Sequence, residues 1–537
     1  MIYIPVLLIL IPIVTAMVRY LFHYKRIGYM AFIAQAIMSV LAILYYFEFN
    51  GNYDDTLFVF GGWNRDIGIS LENDALSMSF IFLTIFSWWM VLLYTFDYKK
   101  DQTNFLFFLL FLEGVFMGLL QTNDLFNMFV FLELTTILVT ILIAYKKTGE
   151  SFKAAIYYLL LNTAGVLAFL MGIILIYFTF GTININVITE MMHESTLAQT
   201  TIIRFSYALM IVGISVKTAL FPVFTWLPRA HGVAQSGISA LLSGLIVKAG
   251  LYLFIRINQM FSGADYDTAT FFFVIGATTA LVGVMFALTQ KDIKQILAYH
   301  TVSQVGIMMM GLSSSDLTVF YGGVMHIFNH ALFKSLLFLG AGIIISVYRT
   351  KKVSEIRGVF RTMPGISIFM IIGMLSITGA PLFNGFISKS IIKYGLTDIE
   401  YYALFLVNIG TATSFVKMSQ IFFGPKTLSY PMKEISKNIA LMSLALLCVI
   451  LGSYYIPVID GFFGINVTHI KNFSFSYLFD YGVTIGIGFL IYYFIVKKDP
   501  KPVRKIRNFT ISFETANIFF IILLVVLTTY FVLIPIR

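Results

Sequence analysis

The chain has 537 residues, of which 59% are hydrophobic, 17% aromatic and only 12% charged, with a mean hydropathy of +0.88. A soluble domain carries about 25% charged residues, so a soluble globular fold is excluded and an all-α, polytopic membrane protein is expected. The net charge of +10 does not call for nucleic acid, because the cations follow the loops, and the single cysteine, Cys448, excludes a disulfide framework or a cysteine-held iron–sulfur cluster within this chain.

A bilayer crossing takes about 20 apolar residues. Such runs lie near 1–18, 28–47, 74–96, 104–121, 125–145, 154–179, 202–227, 233–257, 270–289, 295–312, 317–346, 364–391, 401–424, 438–457, 476–496 and 514–535. That predicts about sixteen transmembrane helices. The runs lack the polar–apolar alternation of a membrane barrel. The first has neither a basic leader nor a small-residue cleavage site, and reads as a helix. Of the loop lysines and arginines, 25 fall in one alternating set of loops and 5 in the other. Basic loops stay on the cytoplasmic side. A multi-pass protein of a prokaryotic cell (inner) membrane with both termini outside is therefore expected.

Seven charges fall within the runs: Glu113, Glu133, Lys217, Lys248, Lys334, Lys389 and Lys417. Each lysine or carboxylate at the middle of a bilayer costs about 2.5–3.5 kcal/mol on insertion scales. Glu133, Lys217, Lys248 and Lys389 facing lipid would together cost roughly 10–14 kcal/mol, comparable with the whole stability of a domain. They are expected to face the bundle interior, paired or hydrated, on a path for ions or protons. Lys417 lies near the end of its run, where a lysine can snorkel to water, and Glu113 has no evident partner. A structural role suits these two better.

The eleventh run reads YGGVMHIFNHALFKSLLFLGAG. His326, His330 and Lys334 stand at i, i+4 and i+8, on one helix face. Histidine titrates near physiological pH, so the stripe suits a proton relay. A zinc site is disfavoured, because no HExxH acid is present and Lys334 would repel the metal. Two helix breaks stand out as well. KTALFPVFTWLP places Pro222 just after Lys217, and TGAPLFNGFISKS places Pro381 just before Lys389. Residues 104–257 and 258–424 each hold five predicted helices with a break in a comparable place, between N-terminal helices (1–103) and C-terminal helices (425–537). Successive five-helix units enter from opposite sides, so the repeat is expected to be inverted. Paired interruptions in inverted halves point to a transport site.

Five motifs, TNDLFNMFVFLEL, VKTALFPVFTWLPRAH, DIKQILAYHTVSQVG, HIFNHALFKSLLF and GAPLFNGFISK, resemble the antiporter-like subunits of respiratory complex I, Mrp-type Na⁺/H⁺ antiporters and membrane-bound hydrogenases. The likeness covers roughly residues 70–430 and is greatest to the Mrp antiporter D subunit. It implies a proton-translocating subunit of a multisubunit complex, with other membrane subunits as partners and with protons, and Na⁺ as an open question, as cargo. It implies that Glu133 pairs with Lys217 of the broken seventh helix. It makes Lys248 the central proton carrier, His326, His330 and Lys334 the polar connection, and Lys389 the exit-side group. No cofactor and no metal are expected in this chain. The segment 497–513 is too short and basic for the long lateral helix of larger relatives. The alternatives are a stand-alone Na⁺/H⁺ exchanger, a membrane-embedded transferase using Asn329 and His330, and a scaffold. The transferase lacks a long hydrophilic loop for its substrate.

Overall fold

In hydrocarbon every backbone N–H and C=O must find a partner within its own segment, so runs of this composition form helices. The structure, a computed structural model, describes residues 3–22, 28–49, 57–65, 68–97, 102–194, 196–264, 266, 268–426 and 434–533. The loop cations Lys25, Arg26, Lys99, Lys100 and Lys433 counted above lie outside the described residues, as does the C-terminal Arg537. The helices are α1 (Ile4–Leu21), α2 (Met30–Phe49), α3 (Ala75–Thr95), α4 (Thr103–Gln121), α5 (Leu125–Ala144), α6 (Gly149–Phe180), α7 (Thr201–Thr218), α8 (Trp226–Val233), α9 (Ser236–Met260), α10 (Ala269–Thr289), α11 (Ile293–Leu312), α12 (Leu317–Tyr348), α13 (Pro364–Thr378), α14 (Asn384–Tyr394), α15 (Asp398–Ser419), α16 (Ile435–Ser453), α17 (Phe475–Ile491) and α18 (Phe513–Leu533).

Among the described residues, fourteen helices are long and apolar enough to cross a membrane. Two further segments lie where the sequence predicts crossings but are not among those fourteen. One is α11, which is almost wholly buried and carries Lys294, His300, Ser303 and Gln304. The other is the broken pair α13–α14. The protein is a multi-pass membrane protein. Short helices at Ile185–Glu194 and Tyr455–Phe463, and a two-residue antiparallel pairing of Phe58–Val59 with Ser70–Leu71, lie between crossings. The segment after α17 holds only a seven-residue helix, Lys501–Arg507.

Both interruptions end in the same way. After α7, Ala219 takes left-handed φ/ψ of 59° and 44°, its N–H donates to the Val216 carbonyl, and the next N–H, of Leu220, donates to Ser215. After α13, Gly379 takes 80° and 42°, its N–H donates to Ser376, and that of Ala380 donates to Leu375. A left-handed residue closing the last turn is the usual way to satisfy carbonyls at a helix end. The Trp226 indole takes the Val216 carbonyl as well, at 2.8 Å. Each break therefore has few orphan groups where its helix stops.

Close crossings bring the central helices together. A Cβ on Gly306 of α11 would stand 2.4 Å from the Ala280 nitrogen and the Gly276 oxygen of α10. Small residues let backbones approach where lipid supplies no hydrophobic drive. The C-terminal pair divides its contacts. α17 packs on α15, with Gly488 against Thr413, while α18 packs on α7, with Phe531 against Tyr207 at 4.7 Å between ring centroids. Arg507 spans between them, donating to the Thr289 carbonyl at the end of α10.

Candidate functional site

Lys217, Lys248, Lys334 and Lys389 lie inside the bundle, each in bonding contact with backbone. Lys217, in the last turn before the first break, is 3% exposed. Its ammonium donates to the Thr136 hydroxyl at 2.8 Å and reaches the Leu132 carbonyl at 3.5 Å. A cation at a helix C-terminus is also favoured by the helix dipole. Glu133 is on α5 beside these acceptors, but it forms no ion pair with Lys217 within 4.0 Å among the described residues. One carboxylate oxygen instead accepts from the Thr163 hydroxyl of α6 at 2.9 Å. The other is buried without a protein partner. Resemblance alone implied the pair; the structure brings the two residues to one site and not into contact.

Lys248 is fully buried. It follows a π-turn, Leu242–Ile246, a widened turn that is frequent at functional sites. Its ammonium donates to the Ser243 carbonyl of that turn and to His330 Nδ1 on α12 at 2.7 Å. The stripe on α12 is buried as expected, but its members bond outward and not to one another. His326 shares hydrogen bonds with Ser388 of α14 at 2.9 Å and Gln304 of α11 at 3.1 Å. Lys334 donates to the Leu297 carbonyl of α11 and stands 5.5 Å from the Phe338 ring centroid. Next to Ser388, Lys389 donates to the Ile377 carbonyl at 2.8 Å and to Asn408 of α15 at 3.0 Å. Ile377 stands four residues before Pro381, where proline leaves a carbonyl without its helical donor.

The remaining charges are held by carbonyls or a neutral side chain. Lys417 donates to the carbonyls of Leu288 and Gln290 at 2.6 and 2.7 Å and so caps α10. Glu113, with no evident partner in the sequence, accepts from Gln35 of α2 at 2.5 Å. Lys294 and Lys146 both donate to the Ala234 carbonyl, at 2.8 and 3.3 Å, and Lys351 donates to Gly232 at 2.8 Å, so three lysines cap α8. Burial and the charge of Lys351 push Lys146 below the usual lysine range.

Several polar groups on this line escaped the sequence reading. His231 and His300 are fully buried with both ring nitrogens unpartnered. His231 stacks on Phe338 at 4.6 Å. The signal was the one used for His326, a titratable letter inside an apolar run, present in PRAH and AYHTVSQ. Asp74 was read as a span edge. It forms a two-bond ion pair with Arg256, 2.6 Å for each bond, and Arg256 stands one turn past Tyr252 and two past Lys248. Burial pushes the Asp74 carboxyl up, but the charge and hydrogen bonds of Arg256 outweigh it and hold it at about 2. Nearby Glu72 is pushed above the usual carboxylate range by burial. Both line a polar cavity of about 180 Å³.

Among known proteins, the chain is 29% identical over 369 residues to a putative antiporter subunit, mnhD2, of Staphylococcus aureus, covering 68% of this chain and 74% of that one. It is 29% identical over 511 residues to an uncharacterized protein of Methanocaldococcus jannaschii, covering 91% and 99%. A chain of the membrane-bound sulfane sulfur reductase, an archaeal respiratory membrane complex, superposes with a TM-score of 0.80 at 26% identity, covering 90% of this chain and 99% of that one. A chain of the Mrp complex from Dietzia sp. gives 0.77 at 20% identity with coverage of 94% and 99%, and one of respiratory complex I from Thermus thermophilus gives 0.74 at 21% with 91% and 99%; these two share the fold. The model of the NADH:quinone oxidoreductase/Mrp antiporter transmembrane family matches residues 122–416, more than half of the sequence, including Lys217, Lys248, Lys334 and Lys389 but none of the C-terminal pair, and the chain belongs to that family.

Proposed function

We propose that this chain is a proton-translocating, antiporter-like subunit of a multisubunit cation/proton antiporter of Mrp type or of a related redox-driven complex. Protons pass between Lys217, Lys248, the His326/His330/Lys334 stripe and Lys389, with buried water between them, and Glu133 biases Lys217. The observation that carries this reading is the 2.7 Å bond from Lys248 to His330, which joins two titratable groups of different helices in the fully buried centre. The His326–Ser388 bond extends the line to the residue next to Lys389.

An ammonium donates to a neutral imidazole, and transfer along that bond needs no heavy-atom rearrangement. Burial disfavours the charged lysine and a nearby carboxylate favours it, so movement of Lys217 toward or away from Glu133 would load or unload it. Unpartnered nitrogens of His231, His300 and His330 lie along the same line. A buried polar atom without a partner costs about 1–3 kcal/mol, and water is the partner that a polar, roomy site accepts. The matched geometry at Ala219 and Gly379 supports an inverted repeat spanning 104–257 and 258–424. The density of loop cations supports a cell-membrane orientation with both termini outside.

The test is pH-gradient formation by vesicles carrying the assembled complex with Lys217→Ala, Lys248→Ala or Glu133→Ala. Retained activity in all three overturns the path. Sodium flux by this chain alone in vesicles would mark it as a stand-alone exchanger instead.

A further inference from the structure

A groove of about 630 Å³ runs between α13, α15 and α17, and none of the buried lysines lines it. Its walls are apolar and aromatic, with Phe360, Met374, Phe415 and Phe423 among them. One end is charged. Arg361 lines the mouth, is exposed, and its guanidinium makes no ion pair or hydrogen bond among the described residues. Arg357 lies beside the mouth, its Cβ near Gly424, and Lys426 follows two residues later. No carboxylate lines the groove. The other end is closed by a hydrogen bond of 2.9 Å between Thr378 and Tyr481, one residue from the Ile377 carbonyl that holds Lys389.

Its wall is longer than one lipid leaflet is thick, so an acyl chain can lie along it. The fifteen residues of α13 at about 1.5 Å each span about 22 Å, against about 15 Å for half of a 30 Å hydrocarbon core. The groove starts at the level of the basic loop and ends at the helix break. It is open sideways, because α17 is exposed over most of its surface. Basic pockets between membrane helices suit anionic head groups, and a guanidinium binds phosphate through two parallel N–H bonds.

We propose that this groove binds an anionic phospholipid, with one acyl chain along Met374 and Phe415 and the phosphate on Arg361. The lipid then forms the outer wall of the second helix break and keeps bulk water from Thr378 and Ile377. This assignment stands on the groove and its charge, independently of the proton path.

The assembled complex is placed in phosphatidylcholine nanodiscs with a small fraction of brominated phosphatidylglycerol. Ile485→Trp serves as the reporter in the groove, with Phe422→Trp in its place if that variant does not fold. None of the four native tryptophans, Trp63, Trp88, Trp89 and Trp226, lines the groove. Half-maximal quenching is expected at a mole fraction at least fivefold lower for brominated phosphatidylglycerol than for brominated phosphatidylcholine. Arg361→Ala is expected to abolish that preference. Equal quenching by the two lipids, a preference unchanged by Arg361→Ala, or no quenching by either overturns the proposal.

Discussion

Replacing Lys248 by Met separates a proton carrier from a structural lysine. Methionine is close in length and volume and carries no charge. The change removes the cost of holding an ammonium at membrane depth, about 2.5–3.5 kcal/mol. It also leaves His330 Nδ1 and the Ser243 carbonyl without their donor, at about 1–3 kcal/mol for each buried group. The two effects nearly cancel, so the complex should assemble with a thermal midpoint within a few degrees of the parent. Transport should not survive. Methionine has no proton to give or accept, and a positioned proton-transfer group is worth roughly 10²-fold or more in rate, so normalised transport is expected to fall to the background of the assay. Lys248→Arg sharpens the test, because arginine keeps the cation but does not release its proton. The assay is fluorescence quenching of a pH-sensitive dye in vesicles, normalised to assembled complex. If Lys248→Met retains more than half of the parent rate, or if Lys248→Arg transports fully while Lys248→Met does not assemble, the residue is structural and the path is wrong at its centre.

Thr136→Val removes the hydroxyl that takes the Lys217 ammonium at 2.8 Å and should lower the transport rate several-fold with unchanged assembly; a normal rate would mean that this contact is idle. Lys417→Met should do the opposite, lowering the thermal midpoint by the equivalent of about 1 kcal/mol, as expected for a cation at a helix C-terminus, while normalised transport stays above half of the parent's. Asp74 titrates at about 2 in the folded chain against an ordinary value of 3.8, so its contribution to stability is present above about pH 4 and is lost as pH falls through 2. Because its side chain is 40% exposed, the contribution is discounted to about 1 kcal/mol. Asp74→Asn should therefore lower the thermal midpoint at pH 7 and converge on the parent near pH 2–3, and a gap that persists there would refute the ion-pair assignment. Gly306→Ala places a methyl against α10 backbone at 2.4 Å and should destabilise by about 1–3 kcal/mol, which thermal unfolding in detergent would reveal.

Much of the fold was readable because lipid permits few solutions. Apolar length located the helices, and the two prolines located the breaks. What composition could not reach was chemistry set by partners distant in sequence. Lys417 and Lys389 look alike as letters in apolar runs. One meets the carbonyls that end α10 and the other meets the carbonyl left by a break. Glu113 seemed orphaned because its partner, Gln35, is a neutral residue 78 positions away. His231 and His300 carried the same signal as His326 but stood outside an i, i+4 stripe, and a periodicity argument passes over isolated residues. The stripe itself was legible and its partners were not. One face of α12 contacts α9, α11 and α14, so three groups on one line of the sequence bond to three different helices.

The way the lysines are satisfied bears on why such a site can move protons at all. A buried ammonium is commonly held by a carboxylate, and removing the charge of one partner then strands the other at a cost of about 3–5 kcal/mol. Here Lys217, Lys248, Lys334 and Lys389 each reach a main-chain carbonyl, those of Leu132, Ser243, Leu297 and Ile377. None of the four has a carboxylate within ion-pair distance among the described residues. A carbonyl is a dipole, and it leaves no net charge behind when the ammonium gives up its proton, while the resulting amine still donates to it. Two of these carbonyls come from irregular backbone, Ser243 from the π-turn and Ile377 from the last turn before Pro381. The features that interrupt the helices thus supply acceptors that hold a lysine in place in either protonation state. In the proposed path Glu133, bonded to Thr163 and near Lys217 without touching it, would tilt that balance. A proton carrier built this way would pass its charge along a line of neutral dipoles, with its direction biased where Glu133 sits.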